Sequence, residues 1–292
     1  MHYSGNVVRP PYEANTVLLE VTVGCSHNAC TFCSFYWGDR FRLVPMSQVE
    51  EDLEEVCRAL PGLERIFLLG ADAFVLSYAK LKAVAQKVRE YLPRCSTIAM
   101  YASINNIKGK SVEQLRDLRG LGVNDITIGV ESGDNEVLAA VNKGYTAEDL
   151  VEQCHKLDAA GMEYRFLYIG AVAGKGKCEK NALESAVTFN QTQPTQISIS
   201  QLTLMPGSDL LADARAGRFE EATEYERIRE VQILVRDLDI NTRIVAEHVS
   251  NAVIFRGNLP QDNAAIVASL QDTLDNFDEQ AHRRFREQIA SL

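Results

Sequence analysis

Val23-Gly-Cys-Ser-His-Asn-Ala-Cys-Thr-Phe-Cys-Ser-Phe-Tyr36 places three thiols, Cys25, Cys30 and Cys33, in one short loop. The loop directly follows an apolar run over residues 16–23 that reads as the first strand of the chain. Its spacing is Cys-x4-Cys-x2-Cys, and no further cysteine or histidine stands beyond it at a usual zinc-finger distance. A closed tetrahedral zinc site takes four ligands, so three thiolates suit an iron–sulfur cluster with one iron left open. The same residues allow three other readings: His27 as a fourth ligand, a structural zinc knuckle, or three unrelated buried thiols.

Outside this loop, the composition is that of an enzyme with one main domain. At 292 residues and 46 % hydrophobic content the chain can bury a large single core. The N-terminus lacks a basic apolar signal and no apolar run is long enough to span a bilayer, so a cytoplasmic protein without a membrane partner is expected. Seven cysteines at irregular distances, three of them clustered, fit metal ligands plus isolated thiols in a reducing compartment. Cys57, Cys95, Cys154 and Cys178 read as small buried side chains. With 40 acidic against 30 basic residues, the net charge of −10 opposes general attraction to nucleic acid or anionic lipid.

Short β-rich runs alternate with helical segments, which predicts repeated βα units on parallel strands. Strands are expected at 16–23, 65–69, 97–102, 125–130, 164–169 and 196–204. A capping box, Ser47-Gln-Val-Glu50, predicts a helix to about residue 60. Further helices are expected over 78–91 before Pro93, over 111–121 before Gly122, from Thr146 to Ala160 before Gly161, and over 181–190. Six such units are too few to close an eight-stranded barrel. The expected fold is therefore α/β, a partial (βα)6 TIM-like barrel over residues 10–210. A C-terminal helical extension, 211–292, is expected to pack on it, with one strand near 241–247 and a polar helix from about 261 to the end.

The cysteine loop resembles the cluster loop of radical S-adenosylmethionine enzymes, whose usual spacing is Cys-x3-Cys-x2-Cys. One additional residue before the second cysteine alters the loop path without removing a ligand. The resemblance implies a [4Fe–4S] cluster held by Cys25, Cys30 and Cys33, with S-adenosylmethionine as second cofactor. Phe32 matches the family position whose backbone and ring lie against adenine. Gly70-Ala71-Asp72 stands where the family has Gly-Gly-Glu to receive the amino group of the methionine moiety; a turn with a helix-initiating acid is the plain alternative. Ser103 offers a hydroxyl where relatives contact ribose or methionine, or else makes an ST-turn. Ile126-Thr-Ile-Gly-Val-Glu-Ser-Gly133 resembles a segment of the branch containing oxygen-independent coproporphyrinogen oxidase and the methylthiotransferases. Glu131 would then accept from ribose hydroxyls while Ile128 or Gly129 allows close approach to adenine; a solvated strand cap is the alternative for Glu131. Arg165 needs a carboxylate fork, from the cofactor or from a structural salt bridge. Leu204 and Met205 line the adenine pocket or belong to the core.

The resemblance further implies one-electron cleavage of S-adenosylmethionine to methionine and a 5′-deoxyadenosyl radical, which takes a hydrogen atom from a small-molecule or peptide substrate. An external one-electron donor such as flavodoxin or ferredoxin would supply the electron. Trp37, Arg40 and Arg42 suit a planar or anionic substrate, or form a packed hinge. His248, in Glu247-His-Val-Ser-Asn251, reads as a proton-moving group or a satisfied histidine. Two other classes fit the same loop: an RNA-modifying radical enzyme, which normally carries an appended basic domain, and a noncatalytic cluster- or haem-binding relative.

Overall fold

A computed structural model describes residues 1–288 and divides the chain into two compact units. One contains residues 1–28, 35–129 and 155–164; the other contains 29–34, 130–154 and 165 onward.

In the first unit the expected opening strand is divided. β1 (Val17–Glu20) is followed, after Val21, by β2 (Thr22–Val23), which pairs antiparallel with β3 (Arg42–Leu43). Val21 is the junction: its N–H donates to Leu69 O at 3.2 Å while its carbonyl accepts from Val44 N at 3.0 Å. α1 (Met46–Ala59) starts one residue before the expected serine cap. Pro45 supplies the cap, because its fixed φ suits helix initiation and its carbonyl receives the Gln48 and Val49 amides; the Ser47 box does not form. β4 (Arg65–Leu69) and α2 (Tyr78–Tyr91) fall at the expected positions. β5 (Thr97–Ala102) leads into α3 (Ile104–Lys108), a short helix without periodic signal in the sequence. α4 (Val112–Gly120) is capped by Ser111 and Gln114 and precedes β6 (Val123–Glu131).

β1, β4, β5 and β6 are parallel neighbours, with Val17 opposite Ile66, Ile66 opposite Ile98 and Met100 opposite Ile126. Each return passes through helix, as parallel pairing requires. Leu19, Ile66, Phe67, Leu68, Ile98, Met100, Ile126 and Ile128 are fully buried. Each such side chain contributes roughly 1.5–3 kcal/mol of hydrophobic stabilisation. At the N-terminal end of β4, the Arg65 guanidinium bridges Glu13 and Asp125, stapling the strand ends on that side.

The second unit contains α5 (Asn135–Ala140), the start of α6 (Ala147–Ala160), β7 (Tyr164–Gly170), α7 (Cys178–Phe189) and β8 (Gln196–Gln201). Thr146 and Asp149 cap α6 reciprocally, as expected. β8 ends three residues earlier than expected. The Ser250 hydroxyl takes the Gln201 N–H, the Leu202 N–H closes on Gly170 O, and Pro206 follows, so Leu204 and Met205 lie beyond the strand.

α8 (Asp209–Arg215) and α9 (Glu224–Asp237) come next. The extension is not wholly helical: β9 (Thr242–Val245) adds to β8 in parallel and β10 (Arg256–Leu259) to β9 antiparallel. The edge of β8 is thereby covered rather than left open. The expected terminal helix is two, α10 (Asn263–Asp275) and α11 (Glu279–Glu287), interrupted after the Asn276 cap. Positions 289–292 of that expectation lie outside the described residues. No helix among the described residues is long and apolar enough to cross a membrane.

Candidate functional site

The cysteine loop leaves β2 through Gly24, whose φ of 74° favours glycine; a Cβ there would meet Asp39 O at 3.0 Å and Phe41 N at 3.2 Å. In the first unit, Asn28 N–H donates to Cys25 Sγ at 3.3 Å. Ser26 is tied to the strand-end segment after β4: its N–H donates to Asp72 Oδ1 at 3.1 Å and its hydroxyl to Oδ2. Asn106 Nδ2 adds a third donor to Oδ2 at 3.4 Å. Burial pushes the Asp72 carboxyl above its ordinary value, against the lowering by these donors.

Gly70 has φ of 140°, and a Cβ would stand 1.9 Å from Thr22 Oγ1. Nothing larger than hydrogen fits between the two strand ends. The buried Thr22 hydroxyl has no hydrogen-bond partner. Ser103 is the N-cap of α3, with its N–H on Asn106 Oδ1 at 2.8 Å, and Ile128 is fully buried in β6.

In the second unit, the rest of the loop is docked by its backbone. Thr31 N–H donates to Val141 O at 3.2 Å, Thr31 O accepts from Leu210 N at 2.8 Å, and Ala29 O accepts from Asn142 Nδ2 at 2.9 Å. Cys33 N–H turns back onto Cys30 O at 3.2 Å, and the Ser34 hydroxyl donates to Pro206 O at 2.9 Å. Phe32 and Leu204 pack against one apolar cluster formed by Val137, Val141, Ala171, Val172, Leu202 and Leu210. Met205 is half-buried beside this segment in sequence.

Glu131 ends β6 with φ of 63° and is 8 % exposed. Its Oε1 lies 3.1 Å from the Nζ of Lys143, a buried residue that the sequence reading passed over. Lys143 also stands 6.0 Å from the centre of the Phe32 ring and 5.8 Å from that of Tyr145. Burial alone would lower the Lys143 ammonium; the Glu131 carboxylate, Tyr145 and the Cys30 thiol outweigh it and push the group above its ordinary value. Lys143 Nζ thus adjoins Glu131 and faces the ring of Phe32, a residue of the cysteine loop. The only local sequence signal was a lysine in an Asn-Lys-Gly turn behind a short apolar helix.

The residues after Glu131 serve the fold. Ser132 Oγ donates to Asn181 Oδ1 at 2.6 Å, while Asn181 Nδ2 and Tyr168 OH donate to Glu230 Oε1 at 2.6 and 2.7 Å. A Cβ at Gly133 would meet Ser185 Cα at 2.7 Å, so α7 packs directly on its backbone.

Arg165 is the second residue of β7, near the strand's N-terminal end, and its Nη1 donates to Gln196 Oε1 at 3.1 Å. The strand rises about 3.3 Å per residue, so Arg165 stands far from the C-terminal strand end where parallel sheets gather ligands. His248 is half-buried and its ring is lowered by burial; Nδ1 pairs with Ser250 Oγ at 2.8 Å. Trp37 is 53 % exposed, and Arg40 and Arg42 are exposed.

Among the described residues no three His, Cys, Asp or Glu side chains stand together as a ready metal-binding group. The donor chemistry fits an iron–sulfur cluster: the loop offers soft thiols and an amide at the Cys25 sulfur, and the buried Lys143 faces the ring of Phe32 between Cys30 and Cys33 in sequence.

A sequence profile of the Radical SAM superfamily matches residues 19–186. The chain belongs to the radical SAM superfamily. The superfamily's cofactors, a [4Fe–4S] cluster and S-adenosylmethionine, are its cofactors. A curated relative, the tRNA uridine(34) acetyltransferase of Methanocaldococcus infernus, is 22 % identical over 246 residues, which is 70 % of this chain and 46 % of that protein. The radical SAM methyltransferase TsrM of Kitasatospora setae, solved with cobalamin and a [4Fe–4S] cluster, is similar at a TM-score of 0.56 and 17 % identity over 69 % of this chain and 40 % of that one. Coproporphyrinogen III oxidase (HemN) of Escherichia coli is similar at 0.54 and 13 % identity, covering 74 % and 50 %. The chain therefore spans less than half the length of the curated relative and of TsrM. These similarities show the α/β partial-barrel fold of the superfamily.

Proposed function

We propose that this chain cleaves S-adenosylmethionine reductively and directs the resulting hydrogen-atom abstraction at a small molecule or short peptide. The observation that carries the reading is the cysteine loop docked beside a buried, charge-matched Glu131–Lys143 pair. Bound at the loop, the cluster and S-adenosylmethionine supply a 5′-deoxyadenosyl radical by one-electron cleavage of the sulfonium bond. Residues 10–210 form the cofactor core and 211–292 the extension.

The protein's part is to bind, orient and exclude water. Cys25, Cys30 and Cys33 hold three irons. Gly70 and Ala71 present backbone toward the methionine amino group, with Ser103 nearby in the same unit. Glu131, held in place by Lys143, accepts from ribose hydroxyls, and Ile128, Phe32, Leu204 and Met205 bound the adenine. Arg165 is left out of this set because of its position at the opposite end of β7. A flavodoxin- or ferredoxin-type donor supplies the electron in the cytoplasm.

The relative named for tRNA uridine(34) favours a second reading, RNA as substrate. The charge of −10 weighs against it, because nucleic-acid binding depends on phosphate neutralisation. Equilibrium binding of total tRNA across a salt series separates the two. Weak association without a steep salt slope supports the small-substrate reading; tight, steeply salt-dependent association replaces it with the RNA reading and makes Arg40 and Arg42 part of a phosphate track.

A further inference from the structure

Asp72 holds Ser26 twice, by its backbone N–H and by its hydroxyl. A carboxylate only 4 % exposed is costly to bury unless its oxygens are filled, and Ser26 with Asn106 fills them. Asn106 is itself fixed from two sides. Its Oδ1 accepts the Ser103 N–H at 2.8 Å, and its carbonyl accepts from Lys110 Nζ at 3.2 Å. The same Lys110 ammonium, also 4 % exposed, donates to Phe74 O at 2.7 Å, two residues after Asp72. The carboxylate is therefore held by Asn106 of α3, and the backbone two residues on by Lys110, which also bonds Asn106.

We infer that Asp72 is a positioning residue: acting through Ser26, it sets the path of the loop as it leaves Cys25, and it makes no contact with the methionine amino group. The relation to Cys25 is direct in the chain, since Ser26 is the next residue. Its N–H is committed to Asp72 and thereby withheld from sulfur, whereas the Asn28 N–H reaches Cys25 Sγ at 3.3 Å. Hydrogen bonds to ligating sulfurs tune the potential of an iron–sulfur cluster, so the carboxylate decides which amide does so.

The inference rests on the loop's thiols holding the cluster, so its first test is independent of any cluster. Hydrogen exchange on the full chain without iron reads the Ser26 amide directly. Asp72→Ala is expected to speed exchange there at least tenfold and Ser26→Ala to leave the amide at position 26 protected; unchanged exchange in Asp72→Ala overturns the latch even if the wild-type chain loads no cluster. The second test uses reconstituted protein, comparing Ser26→Ala, Asp72→Ala, Asp72→Asn and the double alanine variant. Asp72→Ala, which frees the Ser26 N–H, is expected to shift the cluster's midpoint potential and reduced-state EPR signal, and Ser26→Ala, which keeps that N–H on Asp72 and loses only the hydroxyl bond, to shift them less. The double variant is expected to go no further than Asp72→Ala, as for two residues acting as one unit. A tenfold loss of S-adenosylmethionine affinity in Asp72→Ala and Asp72→Asn, with the cluster's potential and spectrum unchanged from wild type, would assign Asp72 to the cofactor and overturn the proposal.

Discussion

Lys143 Nζ lies 3.1 Å from Glu131 Oε1, with side-chain exposures of 8 % and 11 %. One residue ends β6 and the other follows α5, so the ion pair fixes the end of a strand to the turn whose neighbours Val141 and Asn142 hold the cysteine loop. Removing one partner of a buried pair leaves an uncompensated charge, which costs about 3–5 kcal/mol. Lys143→Met is therefore expected to lower the unfolding free energy in urea by that amount. Adding Glu131→Gln should recover most of the loss, and a double variant as unstable as the two losses summed would show that the pair is not coupled.

Glu131 is also assigned to the cofactor. With iron content and circular dichroism held as controls, Glu131→Gln should weaken S-adenosylmethionine binding by roughly tenfold, the worth of a hydrogen bond to a charged group. Its iron content should match wild type, because the role proposed for the carboxylate is toward ribose and not metal. Unchanged affinity in equilibrium dialysis would return Glu131 to a purely structural partner of Lys143.

Gly70→Ala tests the closeness of the two strand ends. The added carbon would stand 1.9 Å from Thr22 Oγ1 and 3.0 Å from Thr22 O, at a φ that side chains rarely adopt. A loss of about 2–3 kcal/mol is expected in chemical denaturation. Thr22→Ala should not rescue it, since the backbone oxygen and the φ remain; full rescue would reduce the effect to a single hydroxyl clash.

Lys110 gives a pH signature. Burial, and secondarily Lys156, lower its ammonium from 10.5 to about 8. Between these values the unfolded chain holds the proton and the folded chain does not. Stability from this group therefore rises with pH through the window, by about 3 kcal/mol in full. The difference in unfolding free energy between wild type and Lys110→Met should move in favour of wild type from pH 8 to 10.5. A flat difference would mean that the ammonium stays charged against Phe74 O and Asn106 O.

Sequence patterns located most of the βα alternation because the relevant signals are local. Ile66 to Leu69 is a continuous apolar run between Arg65 and Gly70, and 78–91 carries helical periodicity up to Pro93, so β4 and α2 fall where expected. The Ser47 box failed because Pro45, two residues earlier, already begins the helix. Contacts distant in sequence were invisible. Asp72 meets Ser26 across 46 positions, and Lys143 meets Glu131 from a turn with no period to mark it. Arg165 is the second residue of the strand expected at 164–169, so its place near the strand's start was legible, whereas its partner Gln196, 31 positions on, was not.

The central claim is that the thiols of one loop make this chain cleave S-adenosylmethionine. The direct measurement is 5′-deoxyadenosine formed by anaerobically reconstituted, reduced protein, quantified for wild type and for Cys25→Ala, Cys30→Ala and Cys33→Ala. Wild type should produce it, while each variant should keep its far-UV dichroism and lose the product, since the apolar strands and not the loop carry the core. A cysteine variant that retains full cleavage would remove that residue from the ligand set, and no 5′-deoxyadenosine from wild type with a full complement of iron and sulfide would contradict the account.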